Sequence, residues 1–325
     1  LKIAKGAPRL SHLFFADDSL IFCKARANEV HQFVRILEVY GRASGQLINI
    51  EKSSIFFSRN VAERTKEEVL KEVSGMKQVQ QSRYLGLPLV IGRSKRQIFY
   101  FIKQRIVNRL RGWKEKLLSQ AGKEILLKSV VMALPAYVMS SCKLPIQLCK
   151  NICSEMAKFW WGQKEDERRI HWISWSKMAE PKSEGGLDFR DLQDFNLALL
   201  AKQLWRILMK PNLLLSAVMK ARYFPRQPVW EAQQKNTYSW CWKSLLSARG
   251  VLELGIRKRV GDGETINIWE DRWLPDAEEG RVDSQRKPGS RVVKVCDLIK
   301  QGEWDEDLLA QEFEESDRRK IMRRP

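Results

Sequence analysis

Residues 13–22 read LFFADDSLIF, so two short apolar runs enclose the acidic pair Asp17-Asp18. Short apolar runs separated by turn-forming residues are typical of a β-hairpin, and Asp is a common turn residue. We therefore predict a hairpin with both carboxylates at its tip. Adjacent carboxylates repel one another, and a shared divalent cation such as Mg²⁺ relieves this repulsion. The pair is a candidate metal site, although this motif alone favours the alternative of a solvated Asp-Asp turn.

The pattern around this hairpin predicts an α+β fold in three regions. Residues 1–92 alternate strand and helix signals, and residues 93–225 have a helical period. Residues 226–325 have a weaker pattern and end in a charge-rich tail, which we expect to fray.

Only Cys149 and Cys153 lie one helical turn apart, and no CxxC or Cys/His cluster accompanies them, so no zinc site is predicted.

Individual elements are predicted from apolar spacing and capping residues. A helix is predicted from Asn28, its N-cap, to the glycines at 41 and 45, and another from residue 94 onward. Further helices are predicted over Gly122–Leu134, Leu148–Trp161 and Phe195–Met209. Strands are predicted within residues 48–57, 84–88 and 265–269.

The charge of the chain is strongly positive and unevenly distributed. The 325 residues include 58 Lys and Arg against 39 Asp and Glu, a net charge of +19, and residues 93–225 carry +14 of it. An excess of this size favours a polyanionic partner, either nucleic acid or an anionic membrane surface. No apolar run is long enough to span a bilayer, and no lysine-rich amphipathic helix adjoins a lipid anchor. Nucleic acid is therefore the predicted partner.

The basic residues are densest between residues 93 and 128, where eleven cations face only two acids. We expect this segment to line a groove that contacts phosphates. A solvated helix face, with lysine stems covering apolar surface, is the alternative. The candidate residues are Arg93, Lys95, Arg96, Lys103, Arg105, Arg109, Arg111, Lys114 and Lys116.

Twelve tryptophans raise the question of base stacking. Most have apolar neighbours and are predicted to be buried. Trp172 and Trp175, near Arg168, Arg169 and His171, are the best candidates for contact with a base.

Several motifs together resemble a known enzyme family. The FADD sequence at residues 15–18 resembles the (Tyr/Phe)-x-Asp-Asp hairpin of the reverse transcriptase palm. SGQLIN at 44–49 with Lys52-Ser53 resembles the next palm block, and YLGLP at 84–88 resembles the primer grip. Further blocks are similar to plant LINE-type (non-LTR) retrotransposon reverse transcriptases and occur in family order: GWK at 112–114, AGKE at 121–124, FWWG at 159–162, HWISW at 171–175, GGL at 185–187, ARYFP at 221–225 and WLP at 273–275.

This resemblance implies RNA-directed DNA synthesis, in which two Mg²⁺ ions activate a primer 3′-hydroxyl against a deoxynucleoside triphosphate. It implies that Asp17 and Asp18 bind metal and that Phe15 lies near the incoming nucleotide. Lys52 matches a lysine that protonates the pyrophosphate leaving group in some polymerases; an exposed strand lysine is the alternative. The implied primer-grip residues are Tyr84, Leu85 and Gly86. The implied partners are an RNA template and a DNA primer, or duplex nucleic acid.

The similar blocks run from about residue 9 to residue 275. They imply the C-terminal part of the family's polymerase, with the end of the palm at 1–92, a thumb-like region at 93–225 and a Trp-containing C-terminal region at 226–325. The family's first catalytic aspartate lies in an earlier strand, and residues 1–16 contain no carboxylate. We therefore predict no polymerase activity from this chain alone. The alternatives are a non-catalytic nucleic-acid-binding relic and a degenerate chain that does not fold stably. The absence of a signal-peptide layout and the family's need to reach chromosomal DNA imply a nuclear or cytoplasmic location.

Overall fold

The computed structural model describes residues 1–73, 75–80, 83–92, 94–114, 118–162, 170–274, 277 and 279–323. The chain forms two compact units, Leu1–Ala248 and Arg249–Pro325. Both combine helices with short strand pairs, which confirms the predicted α+β class. The predicted functional division at residues 92 and 225 stays a prediction.

The charge divides between these units very unequally. Leu1–Ala248 contains 42 Lys and Arg against 21 Asp and Glu, a net charge of +21. Arg249–Pro325 contains 16 and 18, a net charge of −2. The first unit therefore carries all of the positive excess.

The first unit begins with the predicted hairpin. Strands β1 (His12–Phe15) and β2 (Asp18–Ile21) pair antiparallel, and Phe15 lies opposite Asp18. Helix α1 (Ala27–Ser44) comes next. Its N-cap is Arg26, so the predicted cap at Asn28 is wrong by two residues, while Gly45 ends the helix with a left-handed φ of 72°, as predicted.

A small cluster forms after α1. Strand β3 (Ser54–Ile55), helix α2 (Glu63–Glu72) and strand β4 (Lys77–Gln78) make a β-α-β crossover with parallel strands. Its core contains Val30, Val69 and Val73. The strand pair predicted within residues 48–57 is wrong, because β3 pairs with β4 beyond α2 rather than with a strand beside it.

A second hairpin leads into the helical region. Strands β5 (Arg83–Tyr84) and β6 (Leu87–Pro88) pair antiparallel. The two residues between them, Leu85 and Gly86, have φ angles of 51° and 78°. Two positive φ angles in a two-residue loop match a type I′ turn, which suits the twist of a hairpin.

The rest of the first unit is helical, and most of its predicted helices are present. Its elements are α3 (Lys95–Lys114), α4 (Gln120–Leu126), α5 (Ala136–Met139), α6 (Ile146–Trp161), α7 (Trp175–Met178), α8 (Leu192–Met209), α9 (Leu214–Tyr223) and α10 (Trp240–Ser247). The helix predicted over Gly122–Leu134 is only partly correct, because α4 ends at Leu126 and a π-helical turn occupies Leu127–Val131.

Helix α6 lies at the centre of this region. It packs against α3, α4, α7 and α8. Its residues Ile152 and Met156 are fully buried, as are Phe99 and Ile106 of α3. Burying a side chain of this size contributes roughly 1.5–3 kcal/mol, so the contact of α3 with α6 is a main source of stability.

Two buried polar side chains connect elements of this core through hydrogen bonds. The Lys123 ammonium donates hydrogen bonds to the carbonyl oxygens of Trp160 (3.1 Å) and Gly162 (3.2 Å) at the C-terminal end of α6. The Asn196 amide of α8 accepts from the Leu144 backbone N–H at 2.8 Å and donates to the Met139 carbonyl oxygen at 2.7 Å. Both side chains satisfy backbone groups that would otherwise be buried without partners.

The second unit contains α11 (Arg249–Gly255), β7 (Ile299–Lys300), β8 (Glu303–Trp304), α12 (Glu306–Glu312) and α13 (Glu315–Met322). Its core includes Ile268, Trp273 and Leu298. The strand predicted over 265–269 is wrong, because only a single bridge joins Asn267 to Lys294. The expected fraying of the tail is wrong too, since the tail contains α12 and α13 and buries the Ile321 side chain.

The part of the chain that the structure describes contains no helix with the length and apolar character that crossing a bilayer requires.

Replacing Lys123 with Met tests the bond between α4 and α6. We expect the free energy of unfolding of Lys123→Met to fall by about 2 kcal/mol, because two buried carbonyl oxygens lose their donor. Urea denaturation followed by circular dichroism measures this change. Lys158→Met is the control: its ion pair with Glu155 (3.4 Å) joins two turns of α6, and we expect a cost of about 0.5 kcal/mol. Equal losses in the two variants would contradict this role of Lys123.

Candidate nucleic-acid interface

The acidic pair is presented on a short, exposed loop. Ala16 and Asp17 alone connect β1 to β2, and Ala16 has a φ of 51°, a left-handed conformation that costs an alanine roughly 1–2 kcal/mol. Asp17 and Asp18 are both exposed. The rings of Phe14 and Phe15 are also mostly exposed, at 65% and 63%. The carboxylates and the aromatic residue of the motif are therefore accessible to a ligand.

The carboxylates of Asp17 and Asp18 do not form a complete metal site in the described residues. Nowhere in that part of the chain do three His, Cys, Asp or Glu side chains come together in a way that could hold a metal ion. A two-metal centre needs more ligands than two neighbouring carboxylates supply. The donor set in the described residues therefore does not fit the implied two-Mg²⁺ centre.

A hydrogen bond joins the second hairpin to the first. The Tyr84 hydroxyl donates to the Leu13 carbonyl oxygen at 3.3 Å, so β5 lies beside β1. Arg83 in turn places its guanidinium carbon 4.0 Å from the centre of the Phe101 ring on α3. This cation–π contact attaches the hairpin to the helix. The predicted primer-grip residues thus lie between the acidic hairpin and α3.

A cleft adjoins the turn of this second hairpin. A cavity of about 150 Å³ is lined by residues that include Leu85, Gly86, Phe101, Arg105, Leu134 and Tyr137. A more open groove of about 530 Å³ shares Arg105 and Leu134 with it. Its remaining lining residues are Asn108 and Arg109. The cleft is therefore lined by both basic and apolar side chains.

The other candidate cations of α3 have different surroundings. Lys95 places its ammonium 5.1 Å from the centre of the Trp240 ring. Lys103 forms an ion pair with Glu155 of α6 at 3.6 Å. Both side chains contact other helices, so they contribute less to an open groove than Arg105 and Arg109 do.

The remaining candidate cations lie away from the cleft or outside the described residues. Arg96 and Arg111 are exposed on α3. Arg93 and Lys116 lie outside the described residues, and Lys114 is described only by its helical backbone. Of the predicted set, the structure therefore brings two cations of α3 together at the cleft.

Lys52 lies in the turn that precedes β3. Its backbone N–H donates to Asn49 Oδ1 at 3.1 Å, and its side chain is exposed. No contact between Lys52 and the acidic pair is found among the described residues. Its implied role in protonating a leaving group stays a prediction.

Most tryptophans lie in a hydrophobic core or pack against one, but the prediction that most are buried is wrong, since the majority are only half-buried. Trp160, Trp242 and Trp273 are at most 7% exposed. Trp175 stacks on Phe189 with ring centres 4.9 Å apart, whereas Trp172 is 78% exposed. Arg168 and Arg169, which were predicted to accompany them, lie outside the described residues.

Sequence reasoning missed polar residues in and beside the cleft. Asn108 and Tyr137 line it, and Arg83 adjoins it through the Phe101 ring, but none of the three was predicted as a site residue. Asn108 lies three residues from Arg105 and one residue from Arg109, so helical spacing on α3 could have indicated it. Arg83 contacts α3 through Phe101, and Tyr137 reaches the cleft from α5, and no local signal indicates either position.

Two proteins of Arabidopsis thaliana are similar to this chain, and no protein-family model matches it. The uncharacterized mitochondrial protein AtMg00310 is 43% identical over 146 residues, which are 45% of this chain and 95% of that protein. A protein named "Putative ribonuclease H protein At1g65750" is 32% identical over 217 residues, which are 66% of this chain. The matched part is 34% of that second relative, so the chain spans about a third of its length.

Removing the Tyr84 hydroxyl tests the contact between the hairpins. In Tyr84→Phe we expect amide hydrogen exchange of residues 12–21 to accelerate about fivefold, because the lost hydrogen bond contributes about 1 kcal/mol to local stability. Mass spectrometry of exchanged peptides measures this. Tyr100→Phe, an exposed tyrosine on α3, is the matched control and should leave the exchange of these residues unchanged. If both variants behave like the parent protein, the two hairpins are not joined in this way.

Alkylation of the α6 cysteines tests the packing around that helix. Burial, followed by the charge of Asp191, raises the pKa of Cys149 to about 11 and that of Cys153 to about 12. Below a raised pKa the thiol keeps its proton, and the thiolate is the reactive form. At pH 8 we expect iodoacetamide to label both at least about 100-fold more slowly than in the urea-unfolded chain. Peptide mass spectrometry gives the rates, with the exposed Cys23 as internal reference. Labelling of Cys149 as fast as of Cys23 would contradict the burial.

Proposed function

The chain belongs to the family of the uncharacterized mitochondrial protein AtMg00310, and we propose that it is a nucleic-acid-binding part of an RNA-directed DNA polymerase of the LINE (non-LTR) retrotransposon type. In this proposal, a primer–template duplex lies along the cleft beside the second hairpin. The chain by itself binds the duplex and does not extend the primer.

The hydrogen bond from Tyr84 to the Leu13 carbonyl oxygen is the observation that carries this proposal. It supports an arrangement in which the two motifs that resemble polymerase blocks act at one place, although about seventy residues separate them in sequence. Local sequence similarity does not require such a contact. One relative is named a ribonuclease H protein, which is consistent with nucleic acid as the partner.

The residues at the cleft have separate roles in this proposal. Arg105 and Arg109 contact phosphates, which sets affinity without reading sequence. The turn at Leu85 and Gly86 lets the backbone approach the primer, because no side chain projects from Gly86. Asp17 and Asp18 match the metal-binding acids of the reverse transcriptases that the motif resembles, and Phe15 matches the aromatic position of that motif. Since these two carboxylates do not complete a two-Mg²⁺ centre here, we assign no chemical step to them.

A second candidate function is a non-catalytic nucleic-acid-binding relic of the polymerase. The lack of a third ligand near the acidic pair among the described residues favours it. Both candidate functions use the same cleft. They differ in whether primer extension requires Asp17 once another chain supplies the rest of a catalytic centre.

Binding of a DNA-primed RNA template by the double variant Arg105→Gln/Arg109→Gln tests the cleft. We expect about tenfold weaker binding at low salt, and a plot of log affinity against log salt concentration whose slope is smaller by about 2. Fluorescence anisotropy at several salt concentrations measures both. The control is Arg59→Gln/Arg64→Gln, which removes two exposed cations from the small cluster. Equal effects of the two double variants, or binding that ignores salt, would overturn the assignment.

Primer extension with Mg²⁺ tests the role of the acids. We expect no extension by the chain alone, and duplex binding by Asp17→Ala equal to that of the parent chain. Extension by the parent chain that disappears in Asp17→Ala would show that a complete centre forms, and the proposed inactivity would be wrong. Loss of duplex binding in Asp17→Ala would contradict the assignment of duplex affinity to Arg105 and Arg109 rather than to the acids.

A further inference from the structure

Helix α8 has an outer side that is exposed in the described part of the chain. Its inner side buries residues such as Leu200, Leu204 and Ile207. On the opposite side, four exposed residues succeed one another at helical spacing. We call them the α8 outer face: Lys202, Trp205, Arg206 and Met209.

The charge around this face is one-sided. Residues 195–230 contain six Lys and Arg and no Asp or Glu, where the average composition of the chain would put about four acids. The six cations are all exposed and make no ion pair with the described acids: Lys202, Arg206, Lys210, Lys220, Arg222 and Arg226. Cations near a helix C-terminus complement the helix dipole, which accounts for Arg206 and Lys210. It does not account for Lys202, about two turns earlier.

An aromatic ring lies among these charges. Trp205 is 41% exposed, and its ring stacks on no other ring in the described part of the chain. Lys202 precedes it by three residues and Met209 comes four residues after it, so both are its neighbours on the helix surface. An available indole face beside two cations fits the way single strands bind, with a base stacked on the ring and phosphates held by the charges.

We propose that the α8 outer face is a second nucleic-acid site, specific for a single strand, with one base stacked on Trp205 and phosphates contacted by Lys202 and Arg206. An unpaired base is required because a ring on a helix surface cannot reach a base inside a stacked duplex. The site shares no residue with the cleft at α3. The site is therefore tested independently of the duplex binding proposed above.

An anionic membrane surface would meet the same cations but fits less well. Helices that lie in a membrane interface present a broad apolar stripe to the lipid. The apolar stripe of α8 is buried inside the protein, and the α8 outer face offers only Trp205 and Met209. A strand of nucleic acid needs no more than one ring and a few charges.

Photo-cross-linking tests the site directly. The whole chain is mixed with a single-stranded oligodeoxynucleotide that contains 5-bromodeoxyuridine, irradiated, digested and mapped by mass spectrometry. We expect an adduct at Trp205 in the parent chain and in Arg105→Gln/Arg109→Gln, which impairs only the cleft. A parent chain that binds the strand without an adduct at Trp205 would overturn the proposal. So would an adduct that disappears in the cleft variant.

Binding measurements with matched variants complete the test. Trp205→Ala should weaken single-strand binding about tenfold, whereas Trp205→Phe, which keeps a ring, and Tyr100→Ala, an exposed aromatic on α3, should change it less than twofold. Lys202→Gln/Arg206→Gln should reduce the salt slope by about 2, and Arg59→Gln/Arg64→Gln should not. Circular dichroism melting confirms that each variant is folded.

Binding to vesicles with and without phosphatidylserine is the last measurement. If Trp205→Ala leaves oligonucleotide binding intact but abolishes binding to phosphatidylserine vesicles, the surface is a membrane contact and the proposal is wrong. Retained single-strand binding in both Trp205→Ala and Lys202→Gln/Arg206→Gln would also overturn it.

Discussion

The burial of helix α6 is the constraint on which the first unit depends. Its apolar side packs against α3, and its C-terminal carbonyl oxygens receive the Lys123 ammonium from α4. A buried ammonium loses hydration, and hydrogen bonds to the backbone oxygens offset that loss. Once α6 and α3 are packed, the position of the cleft is fixed, because Phe101 and Arg105 of α3 line it.

The packing also gives different surroundings to cations that are close together in the sequence of α3. Lys103 lies on the side of α3 that meets α6, where Glu155 offsets its charge. Arg105, two residues later, lies at the cleft. A helix turns by about 100° per residue, so neighbouring positions in one basic segment face different surroundings. Local charge density therefore indicated a segment of α3 without distinguishing the cations at the cleft from those that contact other helices.

Much of the fold was predictable where the local pattern is sufficient. The acidic hairpin and helices α3, α6 and α8 were predicted because alternation or a 3.6-residue period is strong there. The errors have physical reasons. The partner of β3 lies beyond α2, the π-helical turn at Leu127–Val131 breaks the period without a Gly or Pro, and the charged tail is ordered because Ile321 is buried. In the candidate site, contiguous motifs were predicted, whereas Arg83 and Tyr137 depend on contacts distant in sequence.

The unequal charge of the two units has a kinetic consequence. A polyanion attracts the unit with a net charge of +21 over several ångströms and has little attraction for the unit with −2. The chain is thus oriented relative to the polyanion before any contact forms, and the first unit makes the first contact. Such steering raises the association rate and leaves the lifetime of the complex to short-range contacts. Ionic strength would then act on how often the chain finds a nucleic acid more than on how long it stays.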